Sequence, residues 1–243
     1  WDQGLVGTPG VDISANEAWD ITTGSRDVVI AVIDSGVDYL HPDLQDNMWL
    51  NPNEIAGNGV DDDGNGYIDD IYGWDFVNDD NDPMDGDGHG THVAGTIGAA
   101  ANNGEGVVGV AWDVQIMAMK GLSDAGFGSI AGLTSCIVYV TAMRRAGINV
   151  VASNNSWGGG PYSQATFDAI EDAGRAGVLF VAAAGNDMRN NNDTNPAYPA
   201  SYDSENIISV AATARDNTLA PFSNIGRQSV DLAAPGVGIW STT

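Results

Sequence analysis

The chain has 243 residues, 43% of them hydrophobic, and carries 33 Asp and Glu against eight Lys and Arg, a net charge of −25. That length suits one α/β domain with a full apolar core, while the sign of the charge excludes a nucleic-acid face, which needs basic residues for phosphate. No run approaches the eighteen or so apolar residues of a membrane-spanning helix, and the single cysteine, Cys136, excludes an intrachain disulfide.

Trp1 opens the chain in place of Met, with no charged-then-apolar leader, and reads as a processed or trimmed start. A first strand is predicted over 28–33, a continuous apolar run ending at Asp34–Ser35–Gly36. The segment 46–87 follows, rich in Asp, Asn and Gly and too long for an ordinary connection, so a functional or ion-structured loop is expected. A Gly- and Ala-rich helix over 91–101 is introduced by His89–Gly90–Thr91–His92. Strand 114–120, helix 129–146 and strand 148–153 come next. Cys136, inside the apolar helical pattern, reads as a buried structural thiol. Helix 163–175, strand 178–183 ending at Ala184–Gly185–Asn186, strand 207–211 and a short strand at 230–233 complete the order. Continuous apolar strands mean burial on both faces, and intervening helices mean crossover connections. The expected fold is α/β, a mostly parallel central sheet with helices on both faces, in one domain over 1–243. Sites in such folds gather beyond the carboxyl ends of the strands, where Asp34, Ser156 and Asn186 fall.

Between Arg26 and Lys120 there is no Lys or Arg, while Asp and Glu occur 19 times. So negative a stretch repels itself unless divalent cations neutralise it; the alternative is a solvated acidic surface suited to solubility or salt tolerance. Within it, Asp61, Asp63 and Asn65 stand at positions 1, 3 and 5 of a calcium-loop pattern, Gly66 at position 6 and the Tyr67 carbonyl at position 7. Tyr72 replaces the closing Glu at position 12, so Asp69 or Asp70 must complete the shell. Hard oxygen ligands without His or Cys suit calcium.

Asp34 alone is usual for a turn after a strand. His89 is a stronger candidate, because glycines on both sides leave its imidazole accessible. His92 lies on the same helical face, which permits a metal-dependent hydrolase using both histidines, but no acidic residue stands between them and no third ligand is evident. Asp34, His89 and Asn186 occur in the order acid, base, oxyanion donor. With Asp34–Ser35–Gly36–Val37–Asp38, His89–Gly90–Thr91–His92–Val93–Ala94–Gly95, Asn155–Ser156–Trp157–Gly158–Gly159 and Ala182–Ala183–Ala184–Gly185–Asn186, the chain resembles the subtilisin-like serine proteases from about Trp19 to its last residue. Gly73–Trp74–Asp75–Phe76–Val77 is similar to the thermitase-like branch.

The resemblance implies a secreted, calcium-stabilised serine endopeptidase acting on polypeptides. Asp34 is then the triad acid, His89 the general base and Asn186 the oxyanion donor, and His92 is structural. Gly126–Phe127–Gly128 and Ser156–Trp157–Gly158 match segments that flank an extended substrate and pair with it as added strands; Trp157 either lines the specificity pocket or packs in the core. A second calcium site is implied at Asp75, Asn78, Asp80 and Asp82, where Met84 replaces a glutamine-type ligand. A third would use Asp43 and Asn103, with Asp2 as an N-terminal ligand. No Gly-x-Ser-x-Gly elbow occurs and no serine has a Gly-Thr-Ser context. Ala234–Pro235–Gly236 resembles the landmark before the family's serine motif, and the chain ends seven residues after Gly236. The serine is therefore expected on a C-terminal fragment of the same protease, and a propeptide is a further implied partner. The alternative is a calcium-binding protease-like module without activity.

Overall fold

The structure, a computed structural model, describes residues 12–243. Its strands are β1 (Gly24–Asp34), β2 (Gly73–Asp75), β3 (Asp113–Lys120), β4 (Val150–Asn155), β5 (Leu179–Ala183), β6 (Ile207–Thr213) and β7 (Leu232–Pro235). They form one seven-stranded sheet in the order β2–β3–β1–β4–β5–β6–β7, parallel throughout. The helices are α1 (Ala15–Trp19), α2 (His89–Gly98), α3 (Ile130–Arg145) and α4 (Gln164–Arg175). All the crossovers from β3 to β6 run through a helix or a long loop, as parallel pairing requires.

Local sequence sets the helix ends. Ser129 caps α3 by accepting the Gly132 N–H, and Ser163 caps α4 by accepting that of Thr166. Arg144, Arg145 and Arg175 occupy the last turns, facing the negative ends of the helix dipoles. The fourth strand begins two residues later than the apolar run from Ile148 predicts. Gly147 turns left-handed at φ 101° and the Ile148 N–H still bonds the Met143 carbonyl, so that stretch closes α3 before β4 can start. β2 and α1 have no counterpart among the predicted elements; β2 is a three-residue piece inside the long acidic segment, too short to show a period.

Alternate residues of the central strands feed two cores. Val29, Ala31 and Ile33 of β1, with Met117 and Met119 of β3, pack in one core with Ile137, Val140 and Ile170 of α3 and α4. Val32, Ile116 and Ala118 point the other way, into a core with Ala94 of α2 and with Leu44 from the loop after β1. Helices therefore cover both faces here. Burial on both faces does not extend across the sheet. In β5, Phe180 and Ala182 are buried in the first core, but Leu179 is 45% exposed, Val181 half-buried and Ala183 exposed. Among the described residues α2 lies over β1 and β3, and no helix covers this second face of β5 and β6.

That asymmetry predicts unequal costs at neighbouring positions. Phe180→Ala lowers unfolding free energy by about 3–5 kcal/mol through lost transfer energy and a cavity, whereas Leu179→Ala costs under about 1 kcal/mol. Denaturant titration of the two variants measures both.

Candidate active site

β1 ends on Asp34, which is fully buried and whose Oδ1 accepts the backbone N–H of Ser35 at 2.7 Å. His89, the first residue of α2, places Nδ1 2.7 Å from the same oxygen, with its side chain half exposed. An ionised Asp34 fixes the tautomer, Nδ1–H donating, and leaves Nε2 as the basic nitrogen. The hydrogen bond to Asp34 raises the His89 pKa above its ordinary 6.5, against the opposing effect of partial burial. Asp34 Oδ2 is buried with no donor among the described residues.

Gly90 lets the helix reach this strand end, and Gly36 lets the 83–84 backbone ahead of the helix close on the same turn. A Cβ on Gly90 would lie 2.0 Å from the Gly36 carbonyl oxygen, and one on Gly36, at φ 105°, would lie 2.5 Å from that of Pro83. The first-turn amides of α2 find partners outside the helix. Gly90 N–H donates to Ser35 Oγ at 3.0 Å, and Thr91 donates from both its N–H and its hydroxyl to Asp85 Oδ2. Thr91 Oγ1 in turn accepts from Asp38 N–H. Behind the helix, Ser241 and Thr242 donate to the carbonyls of His92 and Thr91, and only a glycine at 95 leaves room for Thr242. His92 is held separately, Nε2 lying 3.3 Å from the Ile239 carbonyl oxygen. The two histidines thus serve different partners rather than converging.

A cleft of about 470 Å³ opens beside His89. Its walls contain Asp34 and His89 together with all six expected substrate-edge residues, Gly126, Phe127, Gly128, Ser156, Trp157 and Gly158. Phe127 is 78% exposed at the rim. Trp157 satisfies both readings at once: it lines the cleft and meets Phe180 edge-on at 6.2 Å in the core. Lys120, the chain's one lysine, is buried below, with Nζ donating to the Ser35 carbonyl at 2.5 Å and pairing with Asp124 at 2.6 Å. It ties the Asp34 turn to the base of the 123–128 edge, a contact that the sequence pattern did not signal. Asn186 lies elsewhere, exposed on a second cleft of about 250 Å³. Val181, Ala183, Val210 and Ala212 of the uncovered sheet face line it, and Ser156 borders both clefts. Cys136 is a buried free thiol whose pKa is pushed up by burial. That makes it inert, as expected of a structural cysteine.

The family model described as the subtilase family, Peptidase_S8, matches residues 25–243. The chain belongs to the subtilase family. It is 39% identical over 225 residues to the thermophilic serine proteinase of Bacillus sp. (strain AK1), covering 93% of this chain and 48% of that protein. It is 37% identical over 230 residues to thermitase of Thermoactinomyces vulgaris, covering 95% and 70%. Among solved structures, a cold adapted subtilisin-like serine proteinase superposes with a TM-score of 0.67 at 31% identity, over 90% of this chain and 67% of that one. Against several curated relatives the chain spans less than half of their length.

In this subtilase the acidic segment is heavily hydrogen-bonded to itself. Asp61 accepts the N–H groups of Gly64, Asn65 and Gly66, and Asp69 those of Asn58 and Gly59. Asn65 Oδ1 accepts from the Tyr67 N–H, and its amide donates to Asp70. Of the expected first-site ligands, the structure brings Asp63 and Asp70 together, joined by Glu54, each with a carboxylate oxygen within 4.8 Å of the others. Glu54 was not a sequence candidate, because it stands outside the Asp61–Asp70 pattern; the turn after Asn51 returns it to the cluster. Burial pushes the Asp70 carboxyl up to about 6 even though Tyr139, Asn65 and Asn51 donate to it. At the second site Asp75 is turned onto Val77, Asn78 and the Asn78 amide, Asp80 accepts the Asp82 N–H, and Asp82 accepts from Tyr39. At the third, Asp43 and Asn103 do meet: the Asn103 amide donates to Asp43 Oδ1 at 2.7 Å. Asp2 lies outside the described residues.

The close approach of α2 to β1 leaves no room for a side chain at Gly90. Gly90→Ala forces backbone apart, and overpacking of this kind costs about 1–3 kcal/mol. Thermal unfolding of the variant registers it as a lower Tm.

Proposed function

We propose that this chain supplies the acid, the base, the oxyanion donor and the substrate edges of a secreted serine endopeptidase. The observation that carries the reading is the 2.7 Å contact between buried Asp34 and half-exposed His89 at the wall of the cleft. Asp34 holds the imidazole in one tautomer and stabilises the imidazolium that forms as Nε2 takes a serine proton. Asn186 donates its amide to the oxyanion of the tetrahedral intermediate. Gly126–Gly128 and Ser156–Gly158 pair with the substrate backbone as flanking strands. The serine comes from a segment following Thr243. Its support is the open apolar face of β5 and β6, which borders Asn186 and Ser156 and needs a cover of its own.

Calcium is the stabilising cofactor in this reading, and Glu54, Asp63 and Asp70 are the first residues to hold it. The donor set fits: three hard carboxylates, one fully buried, converge in a stretch without Lys or Arg. Asp43 with Asn103 is a second candidate. The ion would neutralise the like charges; no step of peptide hydrolysis passes through it.

A fluorophosphonate probe applied to the full-length gene product should label one serine downstream of Thr243, and His89→Ala should abolish the labelling. Absence of label on folded protein, or label unchanged in His89→Ala, favours the inactive calcium-binding module and ends the enzyme reading. In the active protease, Asp34→Asn should lower kcat about 10⁴-fold while the fold persists. For calcium, ligand linkage gives about 2.7 kcal/mol of stabilisation at one hundred times Kd. Chelation should therefore lower Tm, and Glu54→Gln should shrink that response; a Tm indifferent to chelator contradicts the assignment.

A further inference from the structure

The turn carrying Asn186 is built on a residue that belongs to none of the sequence motifs. Asn224 is fully buried and grips the chain on both sides of Asn186. Its N–H donates to the Gly185 carbonyl at 2.8 Å, and its Nδ2 donates to the Ala184 carbonyl at 3.2 Å and to Asp187 Oδ2 at 3.0 Å. Its Oδ1 accepts the Asp187 N–H at 2.8 Å. The fit is close enough to require glycine before Asn186: a Cβ on Gly185, at φ 112°, would lie 2.4 Å from Asn224 Nδ2.

The turn it grips is one the chain would not hold unaided. Met188 and Arg189 follow with φ of 54° and 66°, two successive non-glycine residues in the left-handed region. Such backbone persists only where the surroundings over-determine it. Here the surroundings are the neighbours of Asn224. Met188 N–H bonds the Phe222 carbonyl, Ile225 N–H bonds that of Asn190, and Asn192 N–H bonds that of Ile225. Ser223 anchors the segment to the sheet by accepting the Ala212 N–H. Between these clamped peptides Asn186 stands exposed, its amide making no hydrogen bond to the described residues.

We propose that Asn224 is the positioning residue of the oxyanion donor: by fixing the peptides before and after Asn186, it presents that side-chain amide to the reacting centre already aimed. The inference rests on the reading of Asn186 as that donor. Its physical basis is that a fixed donor stabilises developing charge without reorganising, and that a misplacement of about 1 Å can cost on the order of 10²-fold in rate.

The test is a double-mutant cycle in the full-length protease, with kcat, KM and Tm measured for Asn186→Ala, Asn224→Ser and the pair. Asn186→Ala should lose about 10²–10³-fold in kcat. Asn224→Ser should lose roughly 10–100-fold in kcat with KM within about twofold, and the double variant should be no slower than Asn186→Ala alone. Asp187→Ala, at an exposed residue accepting one Asn224 hydrogen, should give a smaller loss of the same non-additive kind, and it keeps the test open if Asn224→Ser does not fold. An Asn224 or Asp187 variant that lowers Tm but leaves kcat unchanged, or losses that multiply in the double variant, overturns the proposal. An unchanged kcat in Asn186→Ala instead removes the oxyanion reading, and with it the role given to Asn224.

Discussion

The closeness of one helix start to one strand end governs the rest of this structure. Asp34 and His89 meet at 2.7 Å because Gly90 lets the start of α2 touch the Gly36 carbonyl at the mouth of the sheet. The amides that α2 exposes there are satisfied by Ser35 and Asp85, so the helix cannot retreat without orphaning them. Thr91 bridges Asp85 and Asp38, and Thr242 presses on the back of the helix at Gly95. The side-chain contact is therefore a consequence of main-chain packing. It does not depend on where two flexible groups happen to settle.

Electrostatics follow from that packing. A fully buried carboxylate is costly unless hydrogen-bonded, and the one buried cation nearby, Lys120, is committed to the Ser35 carbonyl and Asp124. Asp34 thus draws its stabilisation from the Ser35 amide and from His89, and the imidazole is driven toward its charged form. The same logic recurs in the acidic segment. There Asp61, Asp69 and Asp75 accept loop amides, and Glu54, Asp63 and Asp70, which accept loop and side-chain donors as well, also crowd together in a stretch without Lys or Arg. Asp34 is paired with an imidazole, whereas Glu54, Asp63 and Asp70 bring three carboxylates within 4.8 Å of one another.

Much of this was legible in the chain itself, and the reasons are specific. Runs such as Val28–Ile33 and Val178–Ala183 mark strands because burial demands apolar side chains at successive positions, and the motifs at their ends fix where side chains of catalytic type must lie. Glycines at 36, 90, 95 and 185 stand where another group comes within contact distance. The uncovered face of β5 was not legible from its composition, since Val181 and Ala183 look as apolar as Phe180 and Ala182. Glu54, Lys120 and Asn224 were missed for a common reason: each acts through a contact across a long loop or between strands, which no local spacing encodes.

The account stands on the Asp34–His89 pair, and the imidazole's own titration examines it directly. His89 has a pKa raised above 6.5 by its bond to Asp34, so the pair stabilises the fold fully below about pH 6.5 and loses that contribution as pH rises through the folded-state value. An NMR titration of the His89 ring in the folded protein should place the midpoint above 6.5, and Asp34→Asn should bring it down. A midpoint at or below 6.5, or one that Asp34→Asn leaves in place, would contradict the account.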